Sequence, residues 1–176
     1  MHVRFSACAG MTVSEDGTEE DLGKLSQLLI NPDTGKIEGC FVAVPGFLHS
    51  HHLFISVMDI VRFSTRLYVR HSEVLFPIEE HIRLLPLYLE RRTLIKQPIR
   101  TETGKFVGWC QDIQFDTRHF MVEWIFPRRF FRWGTPLPLS SIIEVRKDAI
   151  IIRDTSIKDS EGKRVPTLLE QLPIKA

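Results

Sequence analysis

The sequence predicts an all-β protein: two small β-barrels in tandem, joined by a short, partly helical linker. Apolar runs of strand length, rich in β-branched and aromatic residues, are bounded by Gly, Pro, Asn and Asp. The runs recur as a second, divergent copy later in the chain. Their close spacing favours closed sheets, which also remove the exposed edges that a small β domain must otherwise protect.

In the first copy the runs fall at residues 24–30, 37–44, 53–57, 60–63 and 67–69. Between the first two stands Asn31-Pro32-Asp33-Thr34-Gly35, a turn in which Pro32 presets φ while Asp33 and Gly35 accept unusual backbone geometry. Setting "LGKLSQLLINPDT" beside "VGWCQDIQFDT" places Gly23 on Gly108, Leu28 on Ile113, Ile30 on Phe115 and Asn31 on Asp116. The turn reads as shorter in the second copy. Downstream, "VPGFLHSHHLFISVMDI" aligns without a gap to "FPRRFFRWGTPLPLSSI", with Pro45 on Pro127. The expected domains are 1–76 and 95–153, with a linker over 77–94 and a tail over 154–176. In the linker, Ile82, Leu85, Leu89 and Leu94 could line one helical face, with Pro86 expected to break or kink it. The tail is polar and turn-rich around "LLEQL", and reads as a segment that is mobile or docks on its own domain, with a partner-binding peptide as the alternative.

Composition narrows the function classes. A hydrophobic content of 43% and a charged content of 26% are ordinary for a soluble globular protein. A formal net charge of +1 argues against a global electrostatic grip on nucleic acid but leaves room for local patches. Cys8, Cys40 and Cys110 are odd in number and widely spaced, so they read as reduced thiols and not as a disulfide frame or zinc site. The first residues are too quickly polar for a signal peptide, and the long uncharged stretch from Gly39 to Met58 is interrupted by Pro45-Gly46 and three histidines. The expected location is cytoplasmic.

The order of a Gly-containing turn, a strand and an Asn-Pro-Asp-Thr-Gly turn across "VSEDGTEEDLGKLSQLLINPDTGKIEGCFV", with "LPLSSIIEVRKDAIIIRD" at the end of the second copy, resembles the PRC-barrel family. In this resemblance Gly23, Pro32, Asp33, Gly35 and Gly108 are structural turn residues. The second copy departs from the pattern by lacking Pro-Asp-Thr-Gly. The resemblance implies two small twisted barrels in tandem and a role in binding other macromolecules. The family includes the cytoplasmic domain of the photosynthetic reaction-centre H subunit and the C-terminal domain of the ribosome-maturation factor RimM. Shared fold carries little functional weight by itself.

Two segments compete as sites. In "HSHH", His49 and His51 would share a strand face and supply half of a tetrahedral zinc site, but no third ligand stands at a fixed spacing, so the reading is an exposed hairpin loop. In "PRRFFRWG", Arg128, Arg129 and Arg132 interleave with Phe130, Phe131 and Trp133. These residue types favour protein interfaces, cation–π pairs and base stacking. The competing reading folds the aromatics into the barrel and leaves the arginines solvated. No nucleophile triad, phosphate loop or dinucleotide fingerprint is present. The sequence therefore points to a non-catalytic adaptor without a cofactor, docking on a protein partner. The alternatives are an RNA- or ribosome-associated factor of RimM-like type and a photosynthetic or membrane-peripheral accessory protein.

Overall fold

Alternation of apolar and polar residues along the long strands dictates which face each sheet buries. In the strand Phe106–Asp116, Gly108, Cys110 and Asp112 are buried while Trp109 and Gln111 between them are exposed. The computed structural model describes residues 1–18, 20–46 and 51–154. Within them the chain is mostly β. The strands are β1 (His2–Arg4), β2 (Thr12–Glu15), β3 (Asp21–Ile30), β4 (Ile37–Val44), β5 (His51–Ser56), β6 (Ile60–Phe63) and β7 (Leu67–Val69) in the first part. The second part holds β8 (Pro98–Thr101), β9 (Phe106–Asp116), β10 (Met121–Arg129), β11 (Arg132–Trp133), β12 (Leu137–Pro138), β13 (Ile142–Val145) and β14 (Ile150–Ile152). Two short helices, α1 (Phe5–Cys8) and α2 (Leu85–Glu90), complete it.

The strands form two sheets with one topology. The first runs β5-β4-β3-β2-β7-β6; the second runs β11-β10-β9-β8-β14-β13, with β1 added beside β9 and β12 beside β10. In each sheet the first short strand pairs antiparallel with the long strand and parallel with the last strand of its copy: Val13 faces Gly23 and Leu67, and Ile99 faces Gly108 and Ile150. Among the described residues no pairing closes either path into a ring. Register shifts in the β3–β4 and β9–β10 ladders mark irregularities of the bulge type, which bend a sheet.

The ladders correct the sequence alignment at two places. Ile30 pairs with Ile37, and Phe115 with Val122, so the two turns have the same length. Phe41 faces Gln27, and Phe126 faces Asp112 at the same offset from the matched glycines. Pro127 therefore corresponds to Val42 inside the ladder, whereas Pro45 lies beyond the end of β4. The length difference belongs to the hairpin that follows.

The second turn repeats the first without its residues. Asn31 Oδ1 accepts the Asp33 backbone N–H at 3.0 Å, and Asp116 Oδ1 accepts the Arg118 N–H at 3.2 Å. Gly35 has φ +74° and Phe120 has φ +50°, so both enter the left-handed region at the same step. The two turns also pair with each other. Ile37 N–H donates to the Phe120 carbonyl, Val122 N–H donates to the Gly35 carbonyl, and Lys36 bridges to Met121. Equivalent residues meet as in a local two-fold.

One continuous core lies between the sheets. It joins Leu25, Val42, Ile55 and Leu67 to Ile99, Ile113, Ile125 and Ile150. The linker packs elsewhere, on the outer face of the first sheet. Ile78, Leu84 and Leu87 cover Leu29, Phe41 and Phe54, while Ile82 and Leu89 are exposed. The expected face of Ile82, Leu85, Leu89 and Leu94 is thus not the buried one, although Leu94 does enter the main core. Pro86 neither breaks nor kinks α2; it sits in the first turn, where its missing N–H has no helical partner to lose.

Candidate functional site

β10 enters the core through Ile125, Phe126 and Pro127, then leaves it at Arg128. Arg129 and Arg132 stand directly opposite each other across the hairpin, and Phe130-Phe131 form its two-residue turn. Such turns need positive φ, and Phe130 supplies it at +52° without being Gly or Asn. Phe130 is 83% exposed and Phe131 is 90% exposed. Like charges in opposed positions and bare rings at the tip are both unfavourable in the isolated chain. Of the two readings of this segment, the one with its aromatics folded inward therefore fails, since Phe130, Phe131 and Trp133 are all exposed.

Neighbouring strands extend the surface. The Arg4 guanidinium lies 3.8 Å from the Phe126 ring centre and 6.0 Å from that of Trp133. Arg128 stands 5.5 Å from Trp133, its cross-strand partner. Arg100 and Arg129 each lie 5.8 Å from the Phe106 ring, which meets exposed Trp109 edge to face. Arg4, Arg100, Phe106 and Trp109 were not singled out in the sequence; they come from β1, β8 and β9, and only the sheet order brings them beside the hairpin.

The charges on this surface are uncompensated. Among the described residues, Arg62, Arg66, Arg92 and Arg146 each have a carboxylate partner. None of Arg4, Arg100, Arg128, Arg129 and Arg132 has one, and the Arg128 Nε–H is buried without an acceptor. Guanidiniums over rings with no acid beside them leave their outward N–H groups free for an incoming acceptor.

The chain matches no family model, and no curated protein matches it.

The other candidate residues fall elsewhere. Gly23 and Gly108 lie at matching crossings: an added Cβ would come within 2.6 Å of the Ala43 carbonyl oxygen and 3.0 Å of the Arg128 carbonyl oxygen. Pro32, Asp33 and Gly35 form the turn, where Asp33 receives two hydrogen bonds from Arg92 at 2.7 and 2.8 Å. His51 is exposed on β5, and His49 lies outside the described residues, as does the tail from 155 onward. Among the described residues no group of three or more His, Cys, Asp or Glu side chains gathers as metal ligands, and no helix is long and apolar enough to cross a membrane.

Proposed function

We propose that this chain is a non-catalytic binding protein, a duplicated PRC-barrel-type adaptor that docks on a protein partner through the Arg/aromatic surface of its second sheet. The observation that supports it most is the set of five arginines without carboxylates flanking Trp109, Phe130, Phe131 and Trp133. Aromatic and Arg side chains dominate binding energy at protein interfaces because they bury large areas and form multidentate hydrogen bonds. The partner would present carboxylates around an apolar hollow that receives Phe131. The repeated strand order and the matched Gly23 and Gly108 crossings support the duplicated-barrel reading, each unit being a bent, open sheet.

Affinity capture from the native cell, with the wild type and an Arg129→Ala/Trp133→Ala variant as baits, tests the docking role. The variant should lose a partner that the wild type retains, while circular dichroism stays unchanged. In a binding titration with that partner, Trp133→Ala should cost about 2 kcal/mol, roughly 30-fold in Kd. Equal capture by both baits would end the proposal.

The ring–guanidinium pairs also suit a single-stranded RNA, whose bases stack on exposed aromatics while arginines meet phosphates. An oligouridylate probe separates the readings. Binding that falls steeply with salt favours RNA, and no binding at low salt removes it.

A further inference from the structure

A cavity of about 470 Å³ is lined by β3, by α2 and the segment that follows it, and by Phe5 of α1. Its size is within the range of about 300–1,000 Å³ usual for small-molecule sites. Leu28 and Leu29 of β3, from the two faces of the strand, and Leu87 of α2 are among its apolar lining residues, and Tyr88, Arg91 and Lys96 are among its polar ones. No carboxylate lines it.

The backbone that carries the two cations is held in an uncommon conformation. Arg91 and Lys96 both adopt left-handed conformations, at φ +57° and +68°. The Arg91 N–H donates to the Tyr88 carbonyl and the Lys96 N–H to the Cys110 carbonyl. Arg92 also borders the cavity, but Asp33 and Glu90 occupy its guanidinium. Arg91 and Lys96 have no acidic partner among the described residues. The cavity therefore combines apolar lining residues with two uncompensated cations.

We infer that this cavity binds a small amphipathic carboxylate, its apolar body against Leu28, Leu29 and Leu87 and its anionic head toward Arg91 and Lys96. The carboxylate gains charge-assisted hydrogen bonds, whereas an alcohol of the same length gains only apolar burial and an amine meets repulsion. This site is separate from the Arg/aromatic surface and stands or falls without it.

The test uses decanoate, decanol and decylamine as probes, followed by amide chemical shifts of the full chain. Decanoate should bind at least about tenfold more tightly than decanol, and decylamine more weakly still. Decanoate should shift the amides of Leu28, Tyr88 and Thr93. Arg91→Gln with Lys96→Gln, two exposed positions, should bring decanoate to the affinity of decanol. Leu28→Trp, filling the cavity, should abolish binding of all three probes. Arg129→Ala should leave decanoate binding unchanged. Absence of decanoate shifts in the folded wild type, equal affinity for decylamine, or a Gln/Gln variant that still prefers decanoate would each overturn the inference. If Leu28→Trp fails to fold, the head-group comparison and the Gln/Gln variant decide alone.

Discussion

Gly35 and Phe120 occupy the same left-handed step of two equivalent turns, and their surroundings explain why the residues differ. A Cβ on Gly35 would overlap the Leu139 side chain, so Gly35→Ala combines backbone strain with a clash. It should lower stability by about 1–3 kcal/mol, read as a reduced urea midpoint at constant slope. Phe120 accepts the strain and packs its ring on the main core. Asp33 carries a pH signature. Hydrogen bonds from Arg92 hold its carboxyl below the usual carboxylate range. Because the folded value is depressed, the resulting stability is fully present above the unfolded value, about 3.9, and is lost as pH falls through the folded one. The urea-midpoint difference between wild type and Asp33→Asn should thus be constant from neutral pH to about pH 5 and shrink in more acid solution. The three cysteines follow the opposite direction. Burial pushes the thiols of Cys8, Cys40 and Cys110 up to about 12. A thiol reagent at neutral pH should therefore label none of them in the native protein and all three in denaturant.

At the scale of elements, the linker and the paired turns make separate predictions. Ile78 is almost fully buried against the outer face of the first sheet, while Ile82 is 83% exposed. Ile78→Ala should cost about 2–4 kcal/mol, and Ile82→Ala should stay within about 0.5 kcal/mol, both by chemical denaturation. A helical period drawn through Ile82 and Leu89 misses this because the linker is a 3₁₀ turn at Ile78–Glu80 followed by a six-residue helix, not one continuous helix. The amides of Ile37 and Val122, which join the two turns, should exchange with solvent at similar rates and only when the sheets separate.

For the whole molecule, the shared core makes the two copies one folding unit. β1 and α1 precede the first copy yet attach to the second sheet: β1 pairs with β9, and Ser6 Oγ donates to buried Asp112 at 2.5 Å. Thermal unfolding should consequently show a single transition whose calorimetric and van't Hoff enthalpies agree. A fragment ending at residue 76 should not fold cooperatively, since Leu25, Val42 and Leu67 would lose the partners that cover them. Two resolved transitions would contradict this.

The strands from 24 to 69 and the Asn31 turn were legible in the sequence, because local alternation and turn chemistry act over a few residues, whereas Gly23 and Gly108, expected as turn residues, lie inside β3 and β9 where a neighbouring strand passes too close for a Cβ. So was the run of arginines and aromatics from Arg128 to Trp133, which is contiguous in the chain, although the exposure of its rings was open between two readings. The alignment slipped at Pro127 because proline marks a turn by preference, while β10 holds it buried opposite Cys110. The second turn was hidden because its left-handed step is a phenylalanine. Arg4, Arg100, Phe106 and Trp109 joined the hairpin through sheet order, and Arg91 with Lys96 reached Leu28 through the path of the linker. The sequence by itself determined the strands of the first copy, the Asn31 turn and the charge and aromatic content of the later hairpin. The tertiary structure decided which distant residues share a surface, because strand pairing and core burial are long-range choices that no local pattern encodes.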